Sequence, residues 1–197
     1  MAGAASVAPV DVIDFWFGAP DSPERTRFRD QWFKADAAFD DEIRRRFLLV
    51  WQALRDGGLE HWHDTPEHAL AYVIVADQFP RNCFRGTAIA FATDALALAA
   101  AIRLVDAGDD SKLAPLQRSF VYLPFEHAES LAMQNRSVQL FETLASAHAQ
   151  MNNVLDYARR HRDVIKRFGR FPHRNAALGR TSTPEERSFL TEPGSSF

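Results

Sequence analysis

The chain has 197 residues, with 26 acidic and 23 basic side chains and a formal net charge of -3. This length suits one domain around one hydrophobic core. The slight acidic excess argues against nucleic acid as a partner, because nucleic-acid binding usually shows as a strongly basic face. With Cys83 as its single cysteine, the chain cannot form an intramolecular disulfide, and this excludes the disulfide-stapled secreted proteins.

Targeting and membrane signals are also missing from the sequence. Residues 1–9 have no basic segment and no continuous apolar stretch, so we predict a loose tail there instead of a signal peptide. Apolar runs such as Ala95 to Ala101 are far shorter than the roughly 20 residues of a membrane span. We therefore expect a soluble, cytoplasmic protein with no membrane partner, a single helical domain over 10–191 and a C-terminal tail over 192–197.

Capping residues, prolines and glycines divide the chain into predicted helices whose apolar residues recur every three or four positions. In the first half these helices run from Pro9 to Gly18, from Ser22 to Phe33, from Asp36 to Gly57, and from Thr65 to a stop at Pro80. In the second half they run from Thr87 to Gly108, from Pro115 to Pro124, from Glu126 to about His148 with a break at Gln134 and Asn135, from Asn152 to Gly169, and from Thr183 to about Leu190. Residues 170–180 are expected to be non-helical.

No segment alternates apolar and polar residues between turn residues, so no strand is predicted. Short connections between helices favour antiparallel helical hairpins. The sequence therefore predicts an all-α fold of about seven to nine helices, either as a bundle or as an array of helix pairs.

A first polar cluster follows the predicted helix stop at Pro80 and contains Asp77, Arg81, Asn82 and Arg85. Arginine forks beside a helix N-terminus near Thr87 would bind a carboxylate or a phosphate. The alternative is that Arg81 and Arg85 pair with Asp77 and Asp94 and only lock the turn between two helices. Cys83 is interpreted as a buried apolar filler, because no base adjoins it in sequence.

A second cluster contains Glu126, His127 and Glu129, with Gln134 expected to line the same cavity. Glu126 and Glu129 lie one turn apart on a helix, so they can act together as a general acid and base. The spacing matches no zinc or di-iron pattern, and we predict no metal. Acidic residues at a helix start also stabilise the helix dipole, which is the structural alternative.

A third cluster concentrates Arg170, His173, Arg174 and Asn175 in the loop over 168–175. It repeats the Phe-Pro and Arg-Asn order of residues 79–82, so the two loops are predicted to face one pocket. Alternatively, both are helix-stop loops whose arginine and asparagine side chains satisfy terminal carbonyl groups. His161 lies within reach of this loop.

These motifs, residues 77–86, 124–129 and 168–175, resemble those of the family called domain of unknown function 924, a group of bacterial proteins. The resemblance extends over nearly the whole chain, from Asp14 to Glu186. It implies a helical fold similar to the tetratricopeptide-like superfamily. The resemblance gives no information about an activity or a cofactor, so both stay unknown.

Two functional hypotheses follow. In the first, the clusters converge on a pocket for a small anionic molecule, with Arg81, Arg85, Arg170 and Arg174 holding the anion. In that pocket Glu126, His127, Glu129 and His173 are the candidate catalytic residues, through acid–base chemistry. In the second, the protein is a helical scaffold that binds a peptide and has no catalytic activity. The oligomeric state stays open.

Overall fold

The structure, a computed structural model, describes residues 7–195. Within that range every regular element is helical, which confirms the all-α prediction and the expected number of helices. The α-helices are α1 (Pro9–Phe17), α2 (Ala37–Arg55), α3 (Pro66–Val73), α4 (Phe79–Cys83), α5 (Asp94–Asp106), α6 (Pro115–His127), α7 (Leu131–Ala147), α8 (Asn152–Phe168) and α9 (Pro184–Phe189). Residues 1–6 and 196–197 of the two predicted tails lie outside the described residues.

By their internal contacts the described residues form two compact units. Unit 1 comprises residues 7–85 and 90–124, and unit 2 comprises residues 86–89 and 125–195. The boundary within α6 falls between Pro124 and Phe125. The single domain over 10–191 stays a prediction.

The core of unit 1 is built from aromatic side chains. Trp16 and Phe17 of α1 are fully buried, and Trp16 stacks on Trp32 with ring centroids 5.8 Å apart. Phe120 of α6 meets the ring of Trp32 edge-on at 4.9 Å. Each such pair adds about 0.5–1.5 kcal/mol beyond the burial of its area. The many aromatic residues of the sequence therefore fix how α1 and α6 pack.

The predicted helix stop at Pro80 is wrong, because helix continues through it. A π-helical turn, Ile74–Gln78, joins α3 to α4, and the Phe79 amide donates to the carbonyl of Ile74, five residues back. Proline has no N–H, so the carbonyl of Ala76, four residues before Pro80, loses its usual donor. The Thr93 hydroxyl supplies one, with Oγ1 2.6 Å from the Ala76 oxygen.

The predicted helix from Ser22 to Phe33 is wrong, because that segment has only two short 3-10 turns, Pro23–Thr26 and Asp30–Trp32. Three further boundaries also differ from the predictions. Pro124 lies inside α6, which continues to His127 although proline has no N–H to donate to the carbonyl of Phe120. The predicted break at Gln134 and Asn135 is absent, since α7 is continuous and the interruption is at residues 128–130. After Thr87 the chain first forms a short 3-10 turn, and α5 starts only at Asp94.

Unit 2 is built on the pair α7 and α8, which pack against each other and are joined by a short 3-10 turn. Val164, Ile165 and Phe171 form an apolar cluster at the end of α8. Gly169 ends α8 with φ of 72°, a left-handed conformation that glycine adopts without strain. This turn leads directly into the polar loop over 170–175.

Residues 88–106 are long and apolar enough to cross a membrane, by length and composition only. Within that stretch α5 buries Ala97, Ala100 and Ala101 and packs against α3 in unit 1. Core helices of soluble proteins meet the same criterion, so one such stretch is weak evidence for a membrane. The cytoplasmic location stays a prediction.

Thr93→Val should destabilise the protein by about 2–4 kcal/mol, because it leaves two buried groups without a partner. Those groups are the Ala76 carbonyl and the indole N–H of Trp51, which donates to Thr93 Oγ1 at 3.0 Å. Urea unfolding would measure the change. Thr143→Val is the matched control, since the Thr143 hydroxyl is exposed, and we expect it to stay within about 0.5 kcal/mol of wild type. Equal effects at both positions would refute the role given to Thr93.

Candidate functional site

The first predicted cluster lies in unit 1, around the π-helical turn. Asp77 is fully buried there and accepts from the amide of Gln78 at 2.6 Å. Arg81 donates two hydrogen bonds to the carboxylate of Asp94, at 2.7 and 3.0 Å. Its Nη1 also lies 3.3 Å from Asp77 Oδ1. For Arg81 this is the locking arrangement that the sequence offered as the alternative to anion binding.

Arg85 also binds a carboxylate of the chain, although not the one expected. Its guanidinium makes two hydrogen bonds to Asp40 of α2, at 2.6 and 2.9 Å. Asn82 donates to the same carboxylate at 2.7 Å. Asp40 therefore joins α2 to α4, a partnership between residues more than forty positions apart in sequence.

Cys83 is buried beside these groups. Burial raises the pKa of its thiol to about 11 against an opposing effect of Arg44. The thiol therefore stays protonated at neutral pH, as suits an apolar filler and not a nucleophile.

In unit 2 the second predicted cluster contains a buried contact between the carboxyl group of Glu126 and the imidazole ring of His161. Both residues are buried, and Glu126 Oε1 lies 3.0 Å from His161 Nδ1. The same nitrogen lies 2.9 Å from the backbone oxygen of Tyr157, one turn back on α8. A carbonyl oxygen only accepts, so Nδ1 must carry a proton. In the neutral ring Nε2 is then the basic nitrogen.

Two more imidazoles belong to this cluster. The ring of His127 lies 6.4 Å from that of His161. Phe171 lies edge-on to His161 at 5.5 Å and also 5.5 Å from the ring of His173. Burial, followed by the charge of Arg174, lowers the pKa of His173 to about 3. His173 is therefore uncharged at neutral pH.

Arg174, the other charged residue of the Phe-Pro loop in unit 2, is only 6% exposed. Its guanidinium carbon lies 4.4 Å from the centroid of Phe171. Such cation–π stacking fixes the plane of the guanidinium and strengthens as water is excluded. The loop thus presents an oriented positive charge beside the imidazoles.

Glu129 has a positioning role in the same unit. It accepts two hydrogen bonds from Arg180, at 2.7 and 2.9 Å, and one from the amide of Phe171 at 2.7 Å. Burial acts to raise the pKa of the Glu129 carboxyl, but these bonds outweigh burial and hold it below its ordinary value. An ionised Glu129 therefore anchors the start of the loop that carries His173 and Arg174.

Arg170 and Asn175 are held by a carboxylate that no sequence cluster included. Glu186 of α9 accepts two hydrogen bonds from Arg170, at 2.6 and 2.8 Å, and lies 3.3 Å from the amide nitrogen of Asn175. It also closes a capping box at the start of α9, since Thr183 and Glu186 bond each other's backbone amides. The predicted helix start at Thr183 is confirmed, and both hydrogen bonds from the Arg170 guanidinium to a carboxylate go to Glu186.

Gln134 lies where α7 begins, next to the end of α6. It is fully buried, and its side-chain nitrogen donates to the backbone oxygens of Glu126 and Ala128, at 2.5 and 2.8 Å. Both amide hydrogens are therefore used on the last turn of α6.

Unit 2 thus brings together eight of the predicted site residues: Glu126, His127, Glu129, Gln134, Arg170, His173, Arg174 and Asn175. The remaining four, Asp77, Arg81, Asn82 and Arg85, lie together in unit 1. Sequence reasoning placed His161 near the loop but gave it no role, and it missed Arg180. No local sequence pattern distinguishes His161 or Arg180. Their importance becomes visible only from the contacts that they make in the structure with residues distant in sequence.

No group of three or more His, Cys, Asp or Glu side chains within residues 7–195 is arranged to hold a metal ion. Unit 1 also contains a cavity of about 140 Å³, lined in part by His63, Arg103 and Asp109. Those three residues stood outside the predicted clusters.

The comparisons with known proteins identify a family without an assigned reaction. The model of the family described as "Bacterial protein of unknown function (DUF924)" matches residues 12–194, and the chain belongs to this family. A solved structure, described as a protein of unknown function, ATU0120, from Agrobacterium tumefaciens, is 42% identical with a TM-score of 0.81. The match covers 93% of this chain and 96% of that one. Comparison with curated proteins gives no significant match. Similarity to the tetratricopeptide-like superfamily stays a prediction.

The tautomer of His161 is directly measurable. In protein labelled with ¹⁵N-histidine, at a pH well above the ordinary histidine pKa of about 6.5, we expect the His161 ring to carry its hydrogen on Nδ1. The contacts to Tyr157 and Glu126 require it. His161→Gln would assign the signal, and a hydrogen on Nε2 would contradict the geometry.

Glu186 should make stability depend on pH. Its hydrogen bonds to Arg170, against the opposing effect of burial, lower its pKa from 4.5 to about 2. Between those values the unfolded state binds more protons than the folded one, so the stabilisation is complete above about 4.5 and is lost as pH falls towards 2. Urea unfolding across this window should therefore show a steeper loss for wild type than for Glu186→Gln.

Glu185→Gln is the matched control for that experiment. Glu185 is the exposed neighbour on α9 and pairs with Arg167 at the surface. Its variant should follow the wild-type slope. If Glu186→Gln followed that slope too, Glu186 would not be the group that titrates.

Proposed function

We propose that this protein binds a small anionic molecule in unit 2 and exchanges a proton with it. Arg174 would hold the anion, and the Glu126–His161 pair would give or accept the proton. The observation that carries the proposal is this buried pair, with its Nδ1 proton fixed by two oxygens, in the same cluster as an oriented arginine.

The choice of Arg174 follows from its own geometry. Its guanidinium lies over the ring of Phe171, in a loop whose start is held by Glu129. A guanidinium held flat in this way suits bidentate recognition of a carboxylate or a phosphate.

The choice of His161 follows from its proton. A carboxylate that holds the Nδ1–H of an imidazole orients the ring and stabilises its charged form, so that Nε2 works as the acid or base. His173, with a pKa of about 3, can donate or accept a hydrogen bond but is too weakly basic to take up a proton near neutral pH. This moves the candidate catalytic role from His173 to His161.

Thermal unfolding with a panel of carboxylates, phosphates and nucleotides tests the anion site. A ligand at about a hundred times its Kd stabilises the native state by about 2.7 kcal/mol, which raises Tm by roughly 5–10 °C for a chain of this size. We expect such a shift in wild type, a smaller one in Arg174→Lys, which keeps the charge but loses the fork, and none in Arg174→Ala.

Arg167→Ala is the matched control, because Arg167 also stacks on a ring, that of Phe168 at 4.6 Å, but is exposed. It should keep the full ligand shift. A shift retained in Arg174→Ala would refute the proposed site, and the absence of a shift in wild type with every anion would refute anion binding.

A further inference from the structure

Three buried side-chain oxygen atoms in the described part of unit 2 have no hydrogen-bond partner. Two of them can only accept, namely Oε2 of Glu126 and Oε1 of Gln134, whose residues are 3% and 0% exposed. The third, Oγ of Ser137, is a hydroxyl that can also donate. Buried polar atoms nearly always have a partner, and an exception calls for an explanation such as a ligand. Glu126 belongs to the proposed site and Gln134 bonds to its backbone, so the two acceptor atoms are evidence about what the site binds.

The two residues are neighbours, because Gln134 Nε2 donates to the backbone oxygen of Glu126. That bond and the one to Ala128 also fix the orientation of the amide. Turning it over would set Oε1 against two carbonyl oxygens, which repel it. The atom of Gln134 without a hydrogen-bond partner is therefore the oxygen.

The missing partner must be a donor. A carboxylate oxygen and an amide oxygen both accept hydrogen bonds and offer none. Glu126 Oε1 already faces the N–H of His161, so the chain supplies one donor to this carboxylate and leaves the other oxygen open. An ammonium group, with three N–H donors and a positive charge, complements a carboxylate and an amide oxygen together.

We propose that the ligand of unit 2 carries a primary amine, which donates to Glu126 Oε2 and Gln134 Oε1 while its acidic group binds Arg174. The ligand class is then a small amino acid or a similar compound with an amine and an anion. This inference rests on the proposed function for the anionic half alone. The amine half follows from the two open acceptors.

Matched pairs of compounds test the amine without any variant. Aspartate against succinate, glutamate against glutarate, and alanine against propionate differ mainly in the amino group. Calorimetric titration and thermal unfolding of the wild-type protein should show that the amino member of at least one pair binds more tightly, by roughly tenfold to a hundredfold for a charged hydrogen bond.

Glu126→Gln then locates the amine. The change keeps Oε1 for His161 and replaces the Oε2 acceptor with an N–H donor of nearly the same shape. We expect the affinity for the amino compound to fall at least tenfold and that for its partner without the amine to stay within about threefold. Glu142→Gln on α7 is the matched control, because Glu142 is exposed and pairs with Arg159 at the surface.

The outcomes separate the two proposals. Equal binding within every pair would overturn the amine inference and leave the anion site standing. Binding of a plain amine such as ethanolamine, lost in Glu126→Gln, with no binding of the acids, would overturn the anion site and leave the inference standing. An ordered water that bridges the two oxygens and stays in place with the amino compound bound would overturn the inference, and no binding of any compound would overturn both.

Discussion

Charged side chains taken out of water cost free energy unless each meets an opposite charge or a set of donors. Both units are arranged around this requirement. Asp40 binds Arg85 and Asn82 in unit 1, and Glu186 binds Arg170 and Asn175 in unit 2. Each carboxylate joins different elements of its unit, so the packing of those elements and the neutralisation of charge depend on the same bonds. Removing one partner would leave the other charged group without its hydrogen bonds.

Local signals in the sequence predicted most of the helices. The caps at Thr65 and Thr183 and the stop at Gly169 depend on neighbours within a few residues, and the structure has them all. The error at Pro80 has a different origin. Whether a helix survives a proline depends on whether something else satisfies the freed carbonyl, and here that group is Thr93, outside the helix. The residues next to Pro80 in sequence do not reveal that Thr93 will donate to the freed carbonyl.

The candidate site was predicted in the same uneven way. The residue types and the loop were visible because arginine, histidine and proline crowd into 168–175. The partner of each side chain could not be predicted, because the partners include Arg180 and Glu186, and no spacing rule connects these residues to the loop. The role proposed for His161 rests on its contacts with the Tyr157 carbonyl and with Glu126, which lie on two helices. Pairing in space therefore decides which carboxylate each arginine binds and which nitrogen of His161 carries a hydrogen.

The π-helical turn over 74–78 has a consequence for the length of this segment. Its hydrogen bond spans five residues instead of four, so the helix holds one residue more than a regular α-helix would need there. A residue added to a regular α-helix rotates everything after it by about 100°. The wider turn absorbs that rotation, so α4 keeps the orientation that brings Arg81 to Asp94 and Asn82 to Asp40. The local widening of the helix at residues 74–78 therefore decides which side chains of α4 meet their carboxylate partners.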